Sequence, residues 1–227
     1  MSSSKLFTLY LSLLTLLLVG CHSAPKDVTE KDQLPQIWPD YVGVTIPVGI
    51  APLNFSMADD EVTTIDVEVR GSKGGSLHAN GDYADFDIDE WHRLLEANKG
   101  GQLTLTVCAE KNGQWTRYRG FQMMVSTEPL DEWGPQTESL HNWSTGSRWF
   151  LFTSRRDDGL YTRIYFSCLD ENGKATKPFL LPQHNPKQYY RRLLYSYNTP
   201  DFATRPLDLD SRDMSRRIES EERVSTK

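Results

Sequence analysis

The chain has 227 residues, enough for one or two domains of roughly 100 to 200 residues each. Hydrophobic residues make up 38% of it and aromatic residues 11%, which excludes a disordered polymer and places it with proteins that bury a core. Its formal charge is −6 and its basic residues are scattered among acids, which excludes a nucleic-acid surface, because such a surface needs clustered Lys and Arg to release counterions.

Residues 1–20 read as a targeting segment rather than as part of the fold. Lys5 supplies a positive start, and residues 6–19 are apolar except for Thr8, Ser12 and Thr15, shorter than the roughly 20 residues a membrane span needs. Leu18-Val19-Gly20-Cys21 then resembles a bacterial lipobox, in which a small residue precedes the cysteine that is acylated and becomes the new N-terminus. The resemblance implies lipid attachment at Cys21 and a mature chain that sits on a membrane without crossing it, since several acyl chains on one residue anchor where a single chain does not. An ordinary signal peptide or an uncleaved anchor is the competing reading. No Asp follows Cys21, so the resemblance implies the outer membrane, with the protein facing the periplasm or the surface. Residues 21–36 are polar and turn-rich and read as a tether.

Residues 37–127 read as a small β-sandwich-like domain of immunoglobulin-like size with one helix crossing between strands. Trp38-Pro39-Asp40-Tyr41 through Pro47 is extended and broken by prolines, which belong at edges and turns. Val62, Ile65, Val67 and Val69 alternate with Thr63, Asp66, Glu68 and Arg70, which predicts a strand over 62–70 ended by Gly71-Ser72-Lys73-Gly74-Gly75. A second strand is expected after Ser76, turning at the hairpin dipeptide Asn80-Gly81. Asp87 as cap with Glu90 three residues on, the stripe Trp91, Leu94 and Leu95, and Gly100 at the far end predict a helix that packs on a sheet. Leu103, Leu105 and Val107 begin another strand, Lys111-Asn112-Gly113-Gln114 turns the chain, and 115–118 and 121–125 are the returning strands.

Residues 128–140 form a linker rich in Pro and Gly, and 141–203 carry a second β block. Runs at 149–154, 162–168 and 177–181 are separated by Arg156-Asp157-Asp158-Gly159 and Asp170-Glu171-Asn172-Gly173, the punctuation of a propeller-blade-like antiparallel meander. Asn185-Pro186 starts a C-terminal helix whose Tyr189, Tyr190, Leu193, Leu194 and Tyr197 make an aromatic-rich face, closed by Asn198 and Pro200. The strands of the meander need their edges covered, and this helix or the sheet of 37–127 is expected to cover them. Residues 204–227 are polar and charged and read as a disordered tail. The fold class is therefore mainly β.

Groups that carry chemistry are sparse. His78, His92, His141 and His184 have no metal-ligand spacing. Asp157-Asp158-Gly159 lacks the remaining ligands of a calcium loop, and it and Asp59-Asp60-Glu61 read as turns. There is no C-x-x-C-H, and no cofactor or metal is expected. An oxidising compartment permits a disulfide between Cys108 and Cys168, but each lies in an apolar run where cysteine acts as a small hydrophobe. What the second block offers is Trp143, Trp149, Tyr161, Tyr165, Arg155, Arg156 and Arg163 on one short meander, the residue types of interaction hot spots. The competing reading makes these aromatics a local core, with the arginines stacked on them or paired with Asp157 and Asp158.

Two blocks carry a family resemblance. The first is Trp38-Pro39-Asp40-Tyr41, Thr45-Ile46-Pro47 and Ile50-Ala51-Pro52-Leu53-Asn54-Phe55, with Glu90-Trp91 and Gly113-Gln114-Trp115. It resembles the immunoglobulin-like N-terminal domain of a family of large bacterial envelope lipoproteins with a TolB-like β-propeller, sometimes labelled cytochrome c biosynthesis proteins. The second is Trp143-Ser144, Arg148-Trp149, the run from Phe152 to Arg163, and Lys177-Pro178-Phe179-Leu180-Leu181-Pro182-Gln183. It resembles the last blade and closing segment of the same family. In the family most of the propeller, and in many members a haem-binding segment, lies between these blocks; here Val125 leads to Trp143 in eighteen residues, less than one blade of roughly 40. The expectation is a membrane-anchored, non-enzymatic interaction or accessory module with a protein or glycan partner. A carbohydrate-binding envelope protein is the alternative, and a degenerate shortened family member with little function is a further one.

Overall fold

The computed structural model describes residues 25–128, 141–144, 148–197 and 200. The expected targeting segment, Cys21, most of the expected linker and the charged tail lie outside the described residues. Within them the chain is mainly β and β-sandwich-like, as expected.

The first block is built on a seven-stranded sheet. At its centre β5 (Thr64–Gly71) and β7 (Gln102–Lys111) run antiparallel, in register from Thr64↔Glu110 to Gly71↔Leu103. β6 (Ser76–Gly81) flanks β5. The other side of β7 is shared, its first half pairing with β9 (Phe121–Val125) and its second half with β8 (Gln114–Tyr118). Parallel partners complete that side: β1 (Val28–Lys31) on β8 and β3 (Thr45–Ile46) on β9. The alternation read from sequence decides the faces. Ile65, Val67, Val69, Leu103, Leu105, Val107 and Met123 are all fully buried on one face, while Glu68, Thr104, Thr106 and Gln122 occupy the other. Asn112 and Gly113, both with positive φ, make the tight β7–β8 turn.

α1 (Ile88–Ala97) is capped by Asp87, whose carboxylate accepts from the N–H groups of Asp89 and Glu90, and it buries Trp91, Leu94 and Leu95. It leads from β6 to β7. Both are antiparallel to β5 and hence parallel to each other, so the helix is the crossover such a pair requires. Each of its buried side chains contributes about 1.5–3 kcal/mol of transfer free energy.

Two local expectations are corrected. The turn expected at Asn80-Gly81 is not there: both are paired strand residues opposite Asp66 and Ile65, and the reversal between β5 and β6 lies at 72–75, in the glycine-rich stretch expected to end the first strand. Asn98 fixes that turn: fully buried at the end of α1, it accepts from the Lys73 N–H and donates to the Gly74 and Leu94 carbonyls. The second correction concerns the tether, which contributes a strand to the sheet. β1 adds to the sheet beyond β8, supported by Arg117–Glu30 and Arg119–Asp32 ion pairs. A polar edge strand carries little hydrophobic signal, which is why composition alone reads it as a linker.

A short ribbon, β2 (Ile37–Trp38) with β4 (Ser56–Met57), opens the segment that joins the blocks. The second block is a four-stranded antiparallel meander in chain order: β10 (His141–Trp143), β11 (Trp149–Ser154), β12 (Arg163–Cys168) and β13 (Phe179–Leu180). One of its faces carries Trp149, Leu151, Phe166, Cys168 and Phe179 into the same core as the large sheet. The 41–55 segment bridges them: Tyr41 packs edge-on against Phe179, and Phe55 against Phe121. The two blocks thus share one core.

α2 (Pro186–Arg192) starts at Asn185, whose side chain accepts from the Gln188 N–H. It is shorter than the aromatic pattern suggests, because Leu193 turns extended and Tyr197 donates its N–H to the Thr162 carbonyl at 3.0 Å. The helix covers a face of the meander, where Tyr190 and Leu193 cluster with Tyr165 and Leu180. The β13 edge is met instead by the first block, through Tyr41 to the Leu180 carbonyl and Lys177 to the Val42 carbonyl.

Candidate functional site

The meander's second face separates the seven residues singled out from sequence, of which Tyr165 is buried on that face, 6% exposed, beneath α2. Trp149 is fully buried in the shared core, against Phe166, so it belongs to the fold and not to a surface. Strand alternation puts Trp149 and Leu151 on the inner face and Phe150 and Phe152 on the outer one. Arg163 is also interior, 7% exposed. Its guanidinium pairs with Asp157 and Asp158 and lies 5.8 Å from the Trp38 ring and 5.0 Å from that of Tyr190. It is an internal clamp between the β11–β12 loop, the 37–57 segment and α2.

The other four are accessible. Trp143 is partly buried and stacks on Phe150 with centroids 4.8 Å apart. Phe150 continues to Phe152 at 5.7 Å, and Phe152 to Tyr165 at 5.8 Å. Arg156 closes the row, its guanidinium 4.9 Å from both the Phe152 and Tyr165 rings. Stacked pairs of this kind contribute about 0.5–1.5 kcal/mol each, and an exposed cation over a ring about 0.5–1, so the row is held rigid before anything binds. Arg155 is exposed beside it, and Tyr161 is half-buried in the same loop. Phe150 and Phe152 are the members that sequence reasoning missed. Period-two alternation contains the signal, once Trp149 is known to face inward.

The loop that presents Arg155 and Arg156 is longer than a two-residue hairpin and is organised by its acids. Asp158 accepts from the N–H groups of Leu160 and Tyr161, at 2.8 and 3.0 Å. Those backbone bonds, with Arg163 behind them, hold its carboxyl below the usual carboxylate range. Asp157 accepts from Trp38 Nε1 at 3.1 Å. Burial pushes the Tyr165 hydroxyl up to about 12, so it stays neutral under the row. Asp157, Asp158 and Arg163 are therefore a closed ion-pair unit, and Arg155 and Arg156 are the cations the loop presents outward.

The remaining candidates have structural work. Asp59 accepts from Lys111, while Asp60 pairs with Lys187 and Arg191 of α2, so this acidic turn ties the end of β7 to the C-terminal helix. His78 lies 3.0 Å from the Asp66 carboxylate, and the His92 ring lies 3.2 Å from the Ile50 carbonyl. Cys108 and Cys168 are both free and buried, and burial raises both thiols. Among the described residues no group of three or more His, Cys, Asp or Glu side chains is arranged to hold a metal ion, and no helix is long and apolar enough to cross a membrane. No protein-family model matches the sequence, and no curated protein matches it.

Proposed function

We propose that this chain is a lipid-anchored protein of the bacterial envelope, attached through Cys21, that acts as a non-enzymatic interaction module through the outer face of its meander. The observation that carries the reading is the rigid row Trp143–Phe150–Phe152, seated on the buried Tyr165 and closed by Arg156. Aromatic and arginine side chains that are ordered beforehand lose little entropy on binding, and they are the types that dominate interfaces. The partner is a protein surface that offers apolar side chains to the row and carboxylates to Arg155 and Arg156. The four-stranded order of the meander supports kinship with a propeller blade, in a shortened member of the lipoprotein family that the sequence resembles.

Metabolic labelling with a palmitate analogue tests the anchor. Wild-type protein takes up the label and Cys21→Ala does not; continued labelling of that variant overturns the attachment site.

A further inference from the structure

A cleft of about 700 Å³ lies away from the meander's aromatic row, between the 51–54 segment, the start of α1 and residues 182–184. Its volume is within the 300–1,000 Å³ range of small-molecule sites. Asp85 is part of its lining. Asn54, only 2% exposed, donates to Asp85 Oδ1 at 3.1 Å and to the His184 carbonyl at 2.9 Å, and accepts from the Phe86 N–H at 3.2 Å. Tyr83 donates its hydroxyl to Asp85 Oδ2 at 3.1 Å, and His184 Nε2 lies 3.4 Å from Oδ1. A buried amide and a tyrosine thus fix the carboxylate from both sides, and acceptor capacity remains on each oxygen. Ile88, 52% exposed, stands beside it with Pro52 and Pro182 as the apolar wall.

The lining decides the ligand class. It contains Asp85 and Asp87 and neither Lys nor Arg, so phosphates and carboxylates are repelled. Asp87 is occupied by capping α1, which leaves Asp85 as the acceptor. A wholly apolar ligand would desolvate Asp85, Gln183 and His184 without compensation. A neutral polyhydroxylated ring meets both demands: adjacent hydroxyls donate one to each Asp85 oxygen, and its C–H face rests on Ile88 and the prolines. We infer that this cleft is a binding site for a neutral saccharide, independent of the meander face and of the lipid anchor.

The test uses the full chain in detergent, with saturation-transfer NMR against cellobiose, maltose and N,N′-diacetylchitobiose, and spermidine as the cationic comparison. At least one disaccharide is expected to show transfer. Asp85→Ala should weaken its affinity at least tenfold, and Trp143→Ala should leave it unchanged. Should Asp85→Ala lower the melting temperature, Ile88→Ala, which leaves the Asn54 hydrogen bonds in place, is read instead and should weaken binding at least threefold. No transfer to any of the three sugars, transfer to spermidine alone, or affinity indifferent to the cleft variants would overturn the assignment.

Discussion

Asn98 is the residue on which the first block turns. Its amide satisfies Lys73 N–H and the Gly74 and Leu94 carbonyls at once, and it sits so close to β5 that a Cβ on Gly71 would come within 2.1 Å of its Nδ2. Because three hydrogen bonds hold the Asn98 side chain, it cannot swing aside. Gly71→Ala is therefore expected to destabilise the protein by about 1–3 kcal/mol through overpacking, and Asn98→Ala by a similar amount through unsatisfied backbone groups. Urea unfolding measures both, and the double variant should cost clearly less than the sum. Asp158 contributes to the acid limb. Its folded pKa is depressed, chiefly by the backbone N–H groups of Tyr161 and Leu160, so its contribution is present above the unfolded value of about 3.9. That contribution is lost as pH falls through the folded one. Stability measured from pH 6 to 2 should decline less steeply in Asp158→Asn than in wild type; parallel curves would contradict the assignment.

At the scale of elements, what was legible follows local chemistry. The Asp87 cap with the Trp91, Leu94 and Leu95 stripe, the Asn112-Gly113 turn, and the strands around Val67, Leu105 and Phe166 each carry their signal within a few residues. One element was hidden because its partner is distant. β1 pairs in parallel with β8 across more than eighty residues of chain, and a parallel, polar edge leaves no periodicity to read. The β11 run was recognised as a strand, but its inner and outer faces were not assigned. Alternation is symmetric until the shared core shows that Trp149 and Leu151 point into it, and that ambiguity put Trp149 on an expected surface it does not occupy; Arg163 is on the outer face with Phe152 and Tyr165 but is buried there against Trp38 and Tyr190. The β1 pairing has a direct test. Thr29→Pro, at a position paired with Thr116, removes a ladder donor and should increase hydrogen exchange in 28–31 and 115–118, with the centre of β5 and β7 protected as before.

The whole molecule is a large sheet and a small meander closed over one apolar core, so the meander's other face is turned outward and stiffened by its aromatic row and by α2. This division explains why a short β block is stable here: its inner face is completed by the first block, and its β13 edge is met by Tyr41 and Lys177. A lipid at Cys21 would tether this body only a few residues upstream of β1. The proposal that the outer face meets a protein partner is tested most directly by site-specific photo-cross-linking in growing cells. A photoreactive residue replaces Phe150 on the row, or Gln122 on the polar face of the large sheet. The account predicts a discrete protein adduct from position 150 that disappears when Arg156→Glu is added, and none from 122. No adduct at 150, or equal adducts at both positions, would contradict it.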